Sequence, residues 1–262
     1  MKRLSSLFVA LLACLCLAVS CTKKENANTF TVGFDADFPP YGFKDAKTGE
    51  YTGFDLELAA EVAKRNGWTL VKKAINWDAK DMELNSGAID CIWNGFTING
   101  REDKYTWSDP YVDNIQVVLV KKNSPIAKLT DLAGKVVAVQ TDTPVQKALS
   151  KDGDREELGK TFKKLVVTPN YNNAVMELES GAVDAVAMDI GVAKNKIHLN
   201  PDKFTMLDEI VLSEKYGIGF KLGNTDLRDK VQATLRQMVK DGTAAEISGR
   251  WFDGVNMIIL AP

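Results

Sequence analysis

The chain has 262 residues, of which 45% are hydrophobic and 26% charged, a composition typical of globular proteins and unlike that of disordered or collagen-like chains. Lysine and arginine number 33 and aspartate and glutamate 35, so the formal net charge of −2 leaves no broad basic surface for nucleic acid. The single histidine, His198, argues against histidine-based metal sites and a Ser-His-Asp triad. We therefore expect no metal, no cofactor and no nucleic-acid partner.

The N-terminus has the pattern of a secretory signal peptide over residues 1–20. Lys2 and Arg3 supply the positive start, and the apolar run Leu7–Val19 follows. This run is too short to span a bilayer as a permanent helix, and no later apolar run reaches about 18 residues. We expect an extracytoplasmic protein whose mature chain does not cross the membrane.

The segment Leu17–Cys21 resembles the bacterial lipobox, in which the peptide is cut before a cysteine whose thiol is then lipidated. Ala18 stands where that pattern usually has leucine. We predict lipidation of Cys21, with residues 21–28 as a polar tether, and plain cleavage without a lipid is the alternative. Cys91, which lies in an apolar run of the folded body, is expected in the core.

Beyond the tether, apolar residues alternate between the spacing of strands and the spacing of helices. This alternation predicts an α/β fold in two lobes. The predicted strands are 29–34, 69–74, 89–93, 115–120, 135–140, 165–168 and 185–188, and the predicted helices are 55–66, 78–86, 145–150, 173–180 and 226–240.

A short internal repeat in the sequence supports two lobes of similar construction. The residues 84–90 (Leu-Asn-Ser-Gly-Ala-Ile-Asp) are repeated in kind at 178–184 (Leu-Glu-Ser-Gly-Ala-Val-Asp). In both, a helix is predicted to end at glycine and a strand to begin after aspartate. Trp251 and Phe252, which follow the last helix, are expected to pin the C-terminus to the first lobe.

Several short motifs follow one another along the chain. They are 32–41 (Val-Gly-Phe-Asp-Ala-Asp-Phe-Pro-Pro-Tyr), 53–58 (Gly-Phe-Asp-Leu-Glu-Leu), 95–101, 107–111 (Trp-Ser-Asp-Pro-Tyr), 134–140, 185–189, 241–243 and 251–252. Taken in this order, they resemble the polar amino-acid-binding proteins of bacterial ABC importers. The resemblance implies a two-lobed periplasmic-binding-protein fold of type II, with two α/β lobes joined by two hinge strands. The lobes would comprise residues 29–112, 113–212 and, again in the first lobe, 213–262.

The resemblance also implies partners for the two charges of a free amino acid, which are costly to bury unmatched. Arg101 would hold the carboxylate through its planar fork, and Asp189 would hold the ammonium. By their residue types alone, Arg101 could be a surface arginine of a charged loop, and Asp189 could cap the following helix. The loop from Thr97 to Arg101 is one residue shorter than is common in the family.

Further contacts are implied along the same segments. Asn94 and Gly95 would contribute backbone groups and Thr97 its hydroxyl. Gln140 and Thr143 lie in a turn of the second lobe whose backbone donors would reach the ligand carboxylate. This turn departs from the family pattern at the next residue, since a proline there has no N–H to donate.

The ligand side chain would lie between Phe38 and Trp77, whose rings bury apolar stems and favour cations. Asp35 would read the distal end of the ligand. The simpler alternatives are packing for Phe38 and a solvated turn acid for Asp35. Trp93 points to the opposite face of its strand from the residue after it and is expected in the core.

The function implied is a lipid-anchored, monomeric receptor that captures a free L-amino acid by hinge closure and delivers it to an ABC permease. A secreted dehydratase on the same fold and a sensor module are the alternatives. With Asp35 and Asp189 facing the cleft and no second cleft cation, we expect a basic or polar uncharged ligand such as arginine, lysine, glutamine or cystine.

Overall fold

The computed structural model describes residues 28–262, which form two α/β lobes linked by a pair of long strands. The α/β fold predicted from the alternating pattern is confirmed. The expected signal peptide and the lipidation site at Cys21 lie outside the described residues.

Strands and helices alternate through most of the described chain. The strands are β1 (Thr29–Phe34), β2 (Asp37–Phe38), β3 (Gly42–Lys44), β4 (Tyr51–Thr52), β5 (Thr69–Ala74), β6 (Cys91–Thr97), β7 (Thr106–Trp107), β8 (Val112–Lys121), β9 (Val136–Gln140), β10 (Lys164–Thr168), β11 (Ala185–Asp189), β12 (Phe204–Met206) and β13 (Leu212–Phe220). The helices are α1 (Phe54–Arg65), α2 (Lys80–Asn85), α3 (Pro144–Leu149), α4 (Glu156–Lys160), α5 (Tyr171–Ser180), α6 (Ile190–Leu199), α7 (Thr225–Lys240) and α8 (Thr243–Trp251), with 3-10 turns at Trp77–Ala79 and Leu129–Leu132.

One continuous sheet runs through both lobes, in the order β10-β9-β11-β8-β13-β6-β1-β5. The first half of β8 pairs antiparallel with β13, from Val112 opposite Tyr216 to Gln116 opposite Leu212. The second half of β8 pairs with β11, and β13 beyond Tyr216 pairs with β6. Strands β8 and β13 therefore carry the chain between the lobes while they remain bonded to each other.

In the first lobe, β1 lies between β5 and β6 in parallel register. Helix α1 buries an apolar face against this sheet, and α7 and α8 pack beside it. The predicted anchoring of the C-terminus is confirmed: Trp251 Nε1 donates to Glu57 Oε2 at 2.6 Å, and the Phe252 ring lies 5.1 Å from that of Phe54. Cys91 is fully buried, as expected.

In the second lobe, β9 lies between β10 and β11, again in parallel register. The short internal repeat has a structural basis at Gly87 and Gly181, which end their helices with φ of 77° and 84°. Glycine adopts these left-handed angles without the steric cost that a Cβ would bring. The same helix-to-strand turn is thus built once in each lobe.

Several boundaries differ from those predicted. Strand β6 begins at Cys91 and continues to Thr97, past the polar residues at which the apolar run stops. Helix α5 begins at Tyr171 because the Asn170 side chain accepts a hydrogen bond from the Asn173 amide at 2.8 Å and caps it. The short strands β2, β3, β4, β7 and β12 and the helices α4, α6 and α8 were not predicted, and β13 was expected only as a hinge strand implied by the resemblance.

Candidate ligand-binding site

A cavity lies between the lobes, and about 310 Å³ of space there, including the part open to solvent, is not filled by protein atoms. Residues from both lobes line it, and all ten candidates from the sequence are among them. Asp142 and Pro144 complete the lining. The lining residues are Asp35, Phe38, Trp77, Asn94, Gly95, Thr97, Arg101, Gln140, Asp142, Thr143, Pro144 and Asp189.

Arg101 is 9% exposed and therefore not a surface arginine. One guanidinium nitrogen, NH1, donates to the Thr97 carbonyl at 3.2 Å, and the other, NH2, donates to the Asp142 carbonyl of the opposite lobe at 2.6 Å. Burial lowers the pKa of Arg101, yet a guanidinium stays charged in proteins. The short loop after Thr97 thus turns this cation into the cleft.

Asp189 ends β11 and is 3% exposed. Its Oδ1 accepts hydrogen bonds from Asn114 Nδ2 and Gln116 Nε2, both at 2.8 Å, and from the Tyr216 hydroxyl. Its Oδ2 accepts from the Tyr171 hydroxyl at 3.0 Å. Asp189 occupies the capping position of α6, but its side chain makes no capping hydrogen bond. Burial raises its pKa.

A second buried carboxylate, Glu214, stands behind Asp189 and was missed by the sequence analysis. It is 3% exposed, and its Oε1 accepts from Asn114 Nδ2 at 2.6 Å and from Gln116 Nε2 at 2.8 Å. Burial, followed by the charge of Asp189, raises the pKa of Glu214 to about 8. The signal in the sequence was the pair Asn114 and Gln116, two amides on one face of β8 just before its apolar second half.

Asp35 joins the two lobes at the cavity wall. Its Oδ2 accepts from Gln140 Nε2 at 2.7 Å, and its backbone amide donates to Asn94 Oδ1 at 2.9 Å. It is 6% exposed, so it is not a solvated turn acid, and burial raises its pKa. Its position leaves this carboxylate facing the cavity from the first lobe.

Gly95 has a different hydrogen bond from the one expected. Its amide donates to Asp55 Oδ2 at 2.6 Å, so this N–H serves the core of the first lobe and leaves only the carbonyl as a backbone group for a ligand. Asp55 is fully buried and also accepts from the Tyr111 hydroxyl at 2.7 Å. Burial raises the pKa of Asp55 to about 7. A Cβ on Gly95 would lie 2.9 Å from Phe38, so glycine makes room for that ring.

The two rings named for the ligand side chain both line the cavity and both have aromatic neighbours. Phe38 is stacked on Tyr171 of the opposite lobe, with ring centroids 5.9 Å apart. Trp77 meets Phe96 edge-on at 5.4 Å. The two interpretations of Phe38 are therefore compatible, because its ring packs against Tyr171 and also faces the cavity.

A second buried cation, Lys80, lies behind the cavity wall and does not line the cavity. Lys80, 1% exposed, places its ammonium against the carboxylate of Asp142 and 5.3 Å from the Trp77 ring. Burial and the nearby Arg101 lower its pKa to about 8. Lys80 is three residues after Trp77, one turn along the 3-10 and helical segment, and no motif marks it. Because Asp142 already neutralises it, Lys80 does not offer a free charge to an acidic ligand.

The turn of the second lobe is built around a helix cap. The Thr143 hydroxyl donates to the Gln140 carbonyl at 2.8 Å and accepts from the Gln146 amide at 3.3 Å, so it caps α3. Pro144 is the first residue of that helix, where a missing N–H costs nothing. The Asp142 amide donates to Gln146 Oε1 at 2.6 Å. Proline therefore starts the helix without removing a hydrogen bond from it.

Comparison with known proteins gives a consistent result. The family model described as "Bacterial extracellular solute-binding proteins, family 3" matches residues 30–254. The chain is 29% identical to the L-cystine-binding protein TcyJ of Escherichia coli K12 over 233 residues, which cover 88% of this chain and 85% of the relative.

Solved structures agree with the sequence relatives. A substrate-binding protein of an ABC uptake transporter from Streptococcus pneumoniae, with bound histidine, has a TM-score of 0.83 and 29% identity and covers 89% of this chain and 95% of its own. An ancestral arginine-binding protein bound to arginine has a TM-score of 0.78 and 37% identity and covers 86% of this chain and 98% of its own.

Proposed function

Since this chain belongs to the bacterial extracellular solute-binding proteins of family 3, we propose that it captures a free polar or basic L-amino acid and delivers it to an ABC importer. The observation that carries the proposal is the cavity between the lobes, lined by a buried guanidinium and a buried carboxylate. A free amino acid carries the complementary pair of charges. Arg101 would hold the carboxylate and Asp189 the ammonium.

Capture would proceed by closure of the lobes over the ligand. Hydrogen bonds already cross the cleft, from Gln140 to Asp35 and from Arg101 to the Asp142 carbonyl at the cavity wall, and from Asn170 Nδ2 to Asp37 Oδ2 at 2.9 Å. A ligand that touches both lobes favours the closed form only by its extra affinity for that form. Strands β8 and β13 would act as the hinge, and the lobe boundaries at residues 112 and 212 remain part of this proposal.

The charge of the site favours a basic or uncharged polar side chain. Asp35 and Asp189 face the cavity, and Lys80, a buried cation behind the cavity wall, is paired with Asp142. Phe38 and Trp77 would bury the aliphatic or ring portion of the ligand. Arginine, lysine, histidine, glutamine and cystine fit this description, and glutamate and aspartate do not.

Isothermal titration calorimetry with a panel of L-amino acids tests the function. We expect one member of the basic or polar set to bind with one site per chain, and its D-enantiomer to bind far more weakly because the ammonium and carboxylate would exchange places. Binding of glutamate alone would overturn the assignment of charge, and binding of no amino acid would overturn the function.

The enzyme alternative is not supported. The relatives and structural neighbours of this chain are solute-binding proteins, and the chain has a binding role. The only histidine of the sequence, His198, lies exposed on α6 and outside the cavity lining. No residue of the cleft is thus assigned to catalysis.

We also propose that the protein is a monomer held at the outer face of the cytoplasmic membrane by a lipid on Cys21. Residues 28–262 contain no helix of sufficient length and apolar character to span a bilayer. Mass spectrometry of the mature protein tests the anchor: an acylated N-terminal cysteine is expected, and Cys21→Ser should release the protein from the membrane fraction. Light scattering of the delipidated chain tests the monomer.

A further inference from the structure

Strands β11 and β13 each carry a buried carboxylate, and the two carboxylates share one set of hydrogen-bond donors on β8, which lies between these strands. Asn114 Nδ2 lies 2.8 Å from Asp189 Oδ1 and 2.6 Å from Glu214 Oε1, and Gln116 Nε2 lies 2.8 Å from the same two oxygens. Each amide nitrogen has two hydrogens, so each can serve both acids. The carboxylates are thereby fixed side by side across two neutral amides.

This cluster contains more acceptors than donors. Glu214 Oε2, Asn114 Oδ1 and Gln116 Oε1 are buried without a hydrogen-bond partner among residues 28–262. The donors present are the two amide NH₂ groups and the hydroxyls of Tyr171 and Tyr216, and both hydroxyls point at Asp189. One added proton on a carboxyl group would supply the missing donor.

The charges around the cluster also favour a proton on one of the two acids. In the described part of the chain, no lysine or arginine forms an ion pair with Asp189 or Glu214. The titratable neighbours are Tyr41, Tyr171 and Tyr216, whose pKa values burial raises so that they stay neutral, and Arg101, which feels both acids at longer range. Two adjacent buried negative charges are costly, and protonation of one removes that cost.

We propose that Glu214 is a positioning residue that holds a proton beside Asp189 in the empty cleft and releases it to solvent when a ligand ammonium reaches Asp189. The inference rests on the proposed function. Before binding, the pair carries one negative charge and one proton. After binding, it carries two negative charges and faces the ligand cation, and the proton is in solution. Amino-acid capture is thereby linked to proton release.

The sign of the linkage follows from burial, which raises the pKa of Glu214 from 4.5 to about 8. Below that pH the empty site is protonated, and binding must expel the proton. Affinity should therefore rise with pH up to about 8 and level off above it, with a slope of up to tenfold per pH unit for one proton released. A tenfold change for each pH unit corresponds to one full proton.

The test is calorimetry with L-arginine, or with L-histidine, L-glutamine or L-cystine if one of these binds more tightly. Titrations at about pH 7 in phosphate, HEPES and Tris buffers, which differ in ionisation enthalpy, give the number of protons released from the slope of observed enthalpy against buffer enthalpy. For the wild type we expect a release approaching one proton and a dissociation constant that falls between about pH 6 and pH 8.

Glu214→Gln is the decisive variant, because glutamine keeps the Oε1 acceptor and permanently supplies the donor that the protonated acid would supply. It should bind with no proton release and a flat pH profile, and more weakly than the wild type above pH 8. Asp113→Asn is the matched control, since Asp113 is an exposed carboxylate on β8 next to Asn114, and it should release as many protons as the wild type. Circular dichroism checks that each variant is folded.

Two outcomes overturn the inference. Wild-type binding with no net proton exchange does so without any variant, and so does a Glu214→Gln protein that releases as many protons as the wild type, which would move the source to Asp35 or Asp55. If the wild type binds no amino acid at all, the proposed function fails instead. The two failures are therefore distinguishable.

Discussion

Single charged residues decide the chemistry of this cleft, and they differ in how visible they are in the sequence. Arg101 and Asp189 were identified because a resemblance marked their positions. Lys80, Asp142 and Glu214 were not identified as site residues, because a charged residue without a motif is usually on the surface. Each of these three has a partner from a distant part of the chain: Lys80 and Asp142 are 62 residues apart, and Glu214 is 100 residues from Asn114. Such pairings are not visible in local sequence.

Arg101 is expected to provide the largest single contribution to binding. Arg101→Ala should weaken amino-acid binding by about 2–5 kcal/mol, roughly thirtyfold to several thousandfold, because the ligand carboxylate would be buried unpaired. Arg101→Lys should recover part of the loss, since lysine keeps the charge and loses the fork. Lys104→Ala, an exposed cation three residues on, is the control. Wild-type affinity in Arg101→Ala would remove Arg101 from the site.

Asp55 should make the stability of the unliganded protein depend on pH. Burial raises its pKa from 3.8 to about 7, so between these values the folded chain holds a proton that the unfolded chain has lost. Its stabilising contribution is complete below about pH 4 and disappears as the pH rises through 7. In Asp55→Asn, the fall in unfolding free energy between about pH 5 and pH 7 should be shallower by up to ~1.4 kcal/mol per pH unit.

Urea unfolding at several pH values measures this slope, with the exposed Asp103→Asn as the control. Asp35, Asp189 and Glu214 are buried acids with raised pKa values and contribute to the wild-type slope in the same direction. An Asp55→Asn slope identical to that of the wild type would show that Asp55 is ionised in the folded protein.

At the scale of elements, long periodic segments were predicted well and short or polar ones were not. Strands 29–34 and 69–74 have the predicted bounds, and both contain β-branched residues that favour strands. The sheet of β2, β3 and β4 was missed, since strands of two or three residues have no measurable period. Strand β6 was predicted too short, because Asn94, Gly95 and Thr97 interrupt its apolar pattern where it reaches the cavity.

Helix α8 is held on α1 by a hydrogen bond as well as by apolar packing. Trp251→Phe should keep the ring contact with Phe43 and lose the bond from Nε1 to Glu57, at a cost of about 0.5–1.5 kcal/mol. This corresponds to a fall in melting temperature of roughly 2–5 °C for a chain of this size. Trp68→Phe removes an indole whose Nε1 makes no hydrogen bond in the described chain and is the control. Equal melting temperatures for the two variants would contradict the role of Glu57.

At the scale of the whole molecule, function depends on how closely the lobes approach. Gly191, at the start of α6 in the second lobe, lies against Tyr41 of the first, and a Cβ there would be 2.6 Å from the Tyr41 hydroxyl oxygen. Gly191→Ala should therefore destabilise the closed form relative to the open form. A loss of ~1.4 kcal/mol in the free energy of closure is enough to raise the dissociation constant for the amino acid by about tenfold, and a larger loss would raise it further.

Calorimetry measures the affinity of this variant, and small-angle scattering measures whether the ligand still compacts the protein. Gly249→Ala is the matched control, because its Cβ would meet no atom closer than 3.7 Å. The melting temperature of unliganded Gly191→Ala should stay near that of the wild type. Compaction and affinity equal to those of the wild type would show that the lobes tolerate the added methyl group.

The path of the chain has a consequence for biosynthesis. The paired strands β9, β10 and β11 of the second lobe are consecutive in sequence. In the first lobe, by contrast, β6 pairs with β13, and α1 packs against α7 and α8, all of which are synthesised much later. During synthesis, the strands of the second lobe can therefore pair before all the strands and helices of the first lobe are available. During synthesis, β1, β5 and β6 can pair with one another, but they lack β13, α7 and α8 until residues 212–251 have emerged, and this is the interval in which we expect the first lobe to depend on holding factors.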